Sequence, residues 1–113
     1  MYAGCNSKVN VSGKVSFQDG TPVTIGKVNF EDDQHTYFGM IQSDGQYSVG
    51  GLRDGDGIPP GKYRVCVTGV ITDDPTPKQW VAEKWTDSKK SGLEYDVKKS
   101  MVVDIEVERN PNP

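Results

Sequence analysis

Histidine and cysteine are scarce in this chain. Its 113 residues include one histidine, His35, and two cysteines, Cys5 and Cys66. A Ser-His-Asp or Cys-His device needs a base beside its nucleophile. Only His35, next to Asp32 and Asp33 at a turn, is left for that role. So few ligands make neither a structural zinc site nor a disulfide framework. Positive charge is not in excess either: 13 Lys and Arg stand against 16 Asp and Glu, for a net charge of −3. That argues against nucleic acid, whose phosphates call for a basic stripe. Lys89, Lys90, Lys98 and Lys99 are interleaved with Asp87, Glu94 and Asp96 and read as a solvated face. No run approaches the ~20 apolar residues of a membrane helix. No secretory apolar region is visible, and no segment has the 3.6-residue period of an amphipathic helix.

What the sequence has is alternation. Val9, Val11, Val15 and Phe17 alternate with polar residues over 8–17, the pattern of a half-buried strand. Six further runs follow, over 25–31, 35–42, 46–49, 62–72, 93–98 and 101–108. In the longest, Tyr63, Val65 and Val67 share one face and Arg64, Cys66 and Thr68 the other. In the last, Met101, Val103, Ile105 and Val107 face in, and Asp104, Glu106 and Glu108 face out. Thirteen glycines and seven prolines punctuate the runs. Asp19-Gly20 and Asp44-Gly45 are tight-turn pairs, and Pro60 suits a strand start because it has no N–H to donate. About seven short strands at this spacing predict an all-β, Greek-key β-sandwich over residues 8–109, with tails at 1–7 and 110–113.

The connection over 73–92 breaks the compact pattern, and long connections of this kind carry function or mobility. It holds Trp80 and Trp85, with Gln79, Glu83 and Asp87 nearby. Aromatic faces stack on sugar rings, and the polar groups suit sugar hydroxyls. The same rings would also serve to cap an open end of the sandwich. "KQWVAEKW" has the length for one or two helical turns. Asp54 and Asp56 form a calcium candidate, "DGDG". However, calcium takes about six to eight oxygens, and neither the acidic residue that closes an EF-hand loop nor its helices are present. A solvated turn is therefore expected there, and no cofactor. An isopeptide crosslink has lysines in strands, Lys14 and Lys27, but no asparagine within the last strand to receive one.

The stretches "SGKVSFQDGTPVTIGKVNF", "IQSDGQYSVGGL" and "GIPPGKYRVCVTG" carry Gly13 and Val15, then Asp19, Gly20 and Pro22. They continue with Asp44, Gly45 and Tyr47, then Pro60, Gly61, Tyr63 and Val65. In this spacing the chain resembles the carboxypeptidase regulatory-like, transthyretin-like domains over roughly residues 8–72. The resemblance implies a transthyretin-like sandwich. It implies no peptidase, because that activity belongs to a separate zinc domain. Hydrolases of the transthyretin fold use several histidines and a C-terminal Tyr-Arg-Gly-Ser motif, and neither is here. "VAEKWTDSKKSGLEYDVK" resembles a segment of small bacterial lipoproteins that carry this domain. Ala3-Gly4-Cys5 resembles the end of a lipobox, in which small residues precede a lipidated cysteine, although Tyr2 holds the usual leucine position. A Cys5–Cys66 disulfide is the competing use of Cys5.

The expectation is a non-catalytic binding or interaction module of a bacterial lipoprotein, monomeric or weakly oligomeric. It would be lipid-anchored, periplasmic or extracellular in the cell envelope, touch membrane only through a lipid on Cys5, and have an envelope protein or glycan as partner. The alternative is a carbohydrate-binding module centred on Trp80 and Trp85. A small hydrolase using His35 ranks last.

Overall fold

The structure is a computed structural model that describes residues 9–49, 57–72 and 78–111. Cys5, Asp54 and Asp56 lie outside the described residues. Strand β1 (Val11–Phe17) is the middle of one sheet. It pairs antiparallel with β4 (Gln46–Ser48) on one edge. On the other edge it pairs in parallel with β9 (Met101–Val102) and β10 (Ile105–Val107). The second sheet holds β2 (Lys27–Glu31), β3 (Thr36–Met40), β5 (Gly61–Thr68) and β8 (Leu93–Val97), in the antiparallel order β3-β2-β5-β8. The chain crosses from the first sheet to the second for β2 and β3, returns for β4, crosses again for β5 and β8, and returns to finish. This alternation is a Greek-key sandwich. A short ribbon of β6 (Ile71–Thr72) and β7 (Lys78–Gln79) closes one end.

The core follows from the alternation. Val28 pairs with Val67 and Phe30 with Val65, so all four project from the same face of the second sheet and are fully buried. They meet Val11, Val15 and Phe17 from β1 in one continuous cluster. Phe30 packs against both Tyr63 and Tyr95, with ring centroids 6.1 and 6.3 Å away. Burying one such side chain stabilises by about 1.5–3 kcal/mol. The two core tyrosines keep their hydroxyls bonded: Tyr47 donates to the Val103 carbonyl and Tyr63 to the Pro59 carbonyl, each at 2.6 Å.

Two strands are shorter than the pattern predicts. The run at 62–72 stops at Thr68 because Gly69 takes a positive φ of 75° beside Gly26 (φ 111°). Ile71 and Thr72 then join the separate ribbon. The run at 101–108 divides at Val103 and Asp104, where the Asp104 carboxylate, in place of a backbone carbonyl, accepts the Lys14 N–H at 3.0 Å. The sandwich thus has seven runs, as expected, one of them split, plus the added ribbon. Asn110 is tied to the ribbon: its N–H donates to the Trp80 carbonyl and its side-chain amide to the Gln79 carbonyl, both at 2.9 Å.

Candidate functional site

The segment after residue 77 is built into the sandwich. Gln79 pairs with Ile71, and the Trp80 N–H donates to the Val70 carbonyl at 3.0 Å. On the opposite edge Val81 bridges Arg109, and the Ala82 N–H donates to the Glu108 carbonyl at 2.9 Å. Trp80 is therefore held from both sides. A 3-10 helix then spans Glu83–Thr86, which gives "KQWVAEKW" a strand and a single tight turn. Asp87 organises the turn that follows. Its carboxylate accepts the Lys89 N–H, and its carbonyl accepts those of Lys90 and Ser91.

This arrangement separates the residues flagged from sequence into two recesses. The first is an apolar cleft of about 170 Å³ at the end of the sandwich, lined by Phe17, Pro22, Ile25, Val70, Trp80 and Arg109 among others. Its rim is fixed by charge. Arg109 Nε and Nη2 both donate to Asp19 Oδ2, at 3.2 and 3.1 Å, and the guanidinium lies 4.0 Å from the centre of the Phe17 ring. The Asp19 carboxyl is held below its ordinary value, chiefly by hydrogen bonds from Thr21 and then by Arg109. It remains the anionic partner of that arginine at neutral pH.

The second recess is polar, about 340 Å³, and lies over the outer face of the second sheet. Glu31, Glu83, Thr86, Asp87, Ser88 and Lys90 line it. At its base Glu31 accepts two hydrogen bonds, from Cys66 Sγ at 3.4 Å and from Ser88 Oγ at 3.1 Å. Burial, with the Glu31 carboxylate second, pushes the Cys66 thiol up to about 12. A thiol in that state is protonated at neutral pH and is no nucleophile. The recess offers acceptors to hydroxyls or to a cation. Among the described residues, no group of three or more His, Cys, Asp and Glu is arranged to hold a metal ion.

Trp80 thus lines the cleft, while Glu83 and Asp87 line the recess. Trp85 and Gln79 line neither. The half-buried Trp85 ring lies 4.8 Å from the Lys84 ammonium. Its indole nitrogen and Gln79 Oε1 are buried without a hydrogen-bond partner among the described residues. His35 is 59% exposed, stacks on Tyr37, and donates its backbone N–H to Asp32 at 2.6 Å. Its ring Nδ1 is 3.9 Å from the same carboxylate oxygen.

Sequence reasoning missed Glu31, Asp19 and Arg109. Alternation places Glu31 on the outward face of β2, but its meeting with Cys66 depends on the pairing of β2 with β5. The Asp19–Arg109 pair joins opposite ends of the chain and leaves no local signal.

No protein-family model and no curated protein matches the chain. Two solved structures do. One is a DUF3823 family protein from Bacteroides ovatus ATCC 8483, 21% identical with a TM-score of 0.55, matched over 88% of this chain and 44% of its own. The other is a DUF3823 family protein from Parabacteroides merdae ATCC 43184, 17% identical with a TM-score of 0.56, matched over 90% of this chain and 46% of its own. The chain therefore spans less than half the length of either neighbour. At these identities what it has in common with them is the fold, an all-β sandwich found in bacterial proteins.

Proposed function

We propose that this chain is a non-catalytic binding module of a bacterial cell-envelope protein and that it recognises an envelope component at the Trp80 cleft. The observation that carries the reading is the cleft's preorganisation. Trp80 is bonded on both sides through its backbone, and Arg109 is locked between Asp19 and the Phe17 ring. Little ordering remains to oppose binding. The strand order and the Asp-Gly and Pro-Gly-x-Tyr turns support a transthyretin-like, carboxypeptidase regulatory-like assignment. The neighbours support a bacterial setting for the fold, and the Ala3-Gly4-Cys5 motif supports an envelope location with a lipid on Cys5.

A carbohydrate is the second reading, favoured by the size and chemistry of the cleft. Drug-sized ligands occupy about 300–1,000 Å³, so a cleft of about 170 Å³ suits a single ring. An indole wall and a fixed guanidinium rim match a sugar's apolar face and hydroxyl edge. The test is binding of the chain to a glycan array and, in parallel, to blotted envelope proteins, with Trp80→Ala and Trp85→Ala variants. Trp80→Ala should abolish binding and Trp85→Ala should leave it intact. Binding that survives Trp80→Ala refutes the cleft. Loss confined to the protein blot refutes the sugar reading. Turnover in an esterase and peptidase screen that vanishes in His35→Ala would refute the non-catalytic assignment.

A further inference from the structure

The first and last strands of the sandwich lie side by side and run the same way. One constant register joins them, from Val11 opposite Met101 and Ser12 opposite Val102 to Val15, Ser16 and Phe17 opposite Ile105, Glu106 and Val107. The chain comes into the sheet at the Val11 end of β1 and leaves it at the Val107 end of β10. Tension along the polypeptide therefore draws β1 one way and β10 the other, parallel to their own axes. Every hydrogen bond of the seam is then strained together, in shear. Had the two strands been antiparallel, the same pull would have parted their bonds one after another from one end.

The seam is reinforced where it is weakest. Between its two halves Val103 and Asp104 leave the regular ladder. There the Val103 N–H donates to the Ser12 carbonyl at 2.7 Å, and the Asp104 carboxylate accepts the Lys14 N–H at 3.0 Å. From the opposite edge of β1, Tyr47 on β4 reaches across and donates to the Val103 carbonyl at 2.6 Å. It passes over Gly13, whose missing side chain makes the crossing possible: a Cβ there would sit 1.9 Å from that carbonyl oxygen. Beyond the two ends, Asn10 N–H donates to Ser100 Oγ at 3.2 Å and Gln18 N–H to the Val107 carbonyl at 3.1 Å. The Asp19–Arg109 ion pair at 3.1 Å spans the same two chain segments. One face of the seam is dry, with Val11, Val15, Val103, Ile105 and Val107 all buried.

The geometry points to a mechanical function: the domain is a tension-resistant link in its polypeptide, with the β1–β9/β10 seam as the clamp. The role is independent of what the Trp80 cleft binds.

The test is single-molecule unfolding of the full chain between marker domains of known strength, pulled in two geometries. One applies force through the two termini. The other applies it through the N-terminus and a handle at Lys99→Cys in a Cys5→Ser background, which puts both points at the same end of the seam and peels it. Terminal pulling should need a force at least about twofold higher, because forced unfolding is governed by the barrier along the pulled direction. Asp104→Ala and Tyr47→Phe should lower the terminal-pulling force. Asn29→Ala, which removes the Asn29–Thr68 hydrogen bond in the other sheet, should leave it unchanged. Urea unfolding of each variant confirms that it folds and gives its equilibrium stability for comparison. Equal forces in the two geometries would overturn the inference. So would a force that tracks equilibrium stability wherever the substitution lies.

Discussion

Cys66 should be among the least reactive thiols a folded protein of this size can carry. The perturbation is alkylation with iodoacetamide at pH 8, native against urea-unfolded, with peptide mapping to separate Cys66 from Cys5. Only the thiolate reacts. An ordinary cysteine with a value of 9.0 is about one-tenth ionised at pH 8, and Cys66, pushed up to about 12, only about one part in ten thousand. Ionisation alone thus slows the reaction about a thousandfold. The more basic thiolate is a better nucleophile and recovers about twenty- to thirtyfold of that. A net protection of at least about thirtyfold remains before access is counted. Access raises it further, because Cys66 is 2% exposed and bonded to the Glu31 that also holds Ser88.

Glu31→Gln refines the test. The carboxylate is the second cause of the raised value, after burial. Removing its charge should speed alkylation while leaving it slower than in the unfolded chain. A native rate within about threefold of the unfolded rate would refute the reasoning. A Glu31→Gln variant that reacts more slowly than the parent would refute the part given to Glu31.

Alkaline pH should unfold the chain early. Cys66 and Tyr63 both have folded values near 12, raised from 9.0 and 10.0 mainly by burial. Their contribution is complete below pH 9 and is lost between pH 9 and 12, at up to about 1.4 kcal/mol per pH unit for each group. Urea midpoints across that range, followed with tyrosinate absorbance, check it, and a flat profile contradicts it. Tyr47→Phe leaves the Val103 carbonyl without its buried donor and should cost about 1–2 kcal/mol, a fall in Tm of several degrees by calorimetry. Gly13→Ala should destabilise more than Gly20→Ala. The first drives a Cβ into backbone 1.9 Å away, whereas the second has open space and only a positive φ to strain. Urea unfolding of the pair would contradict this if the order were reversed.

The sequence discloses the strands because alternation is a local property. Val28, Phe30, Val65 and Val67 are where period two places them, and the face of β5 that carries Cys66 is opposite the core, as the pattern predicts. Strand ends were less legible. The stop at Thr68 depends on Gly69 meeting Gly26 across the sheet, and the break at Asp104 depends on Lys14 in a distant strand. The candidate site suffered most. Trp80 and Trp85 are five residues apart and read as one aromatic platform. The chain between them changes from a paired strand to a 3-10 turn, so that both rings pack against the core but only the first lines the cleft. Glu31 meets Cys66 only through the pairing of β2 with β5, a long-range register that no local pattern encodes.

The parallel course of β1 also decides how the module is mounted. Val9 bridges Ile58 at one end of the strand, and the Trp80 cleft opens beside Phe17 at the other. The span from Val11 to Phe17 puts roughly 20 Å of rigid sheet between them. Val9 thus joins the sandwich at the end away from the cleft. On the proposed lipid at Cys5, the anchor would attach on the Val9 side of the sandwich and the Trp80 cleft would lie on the opposite one.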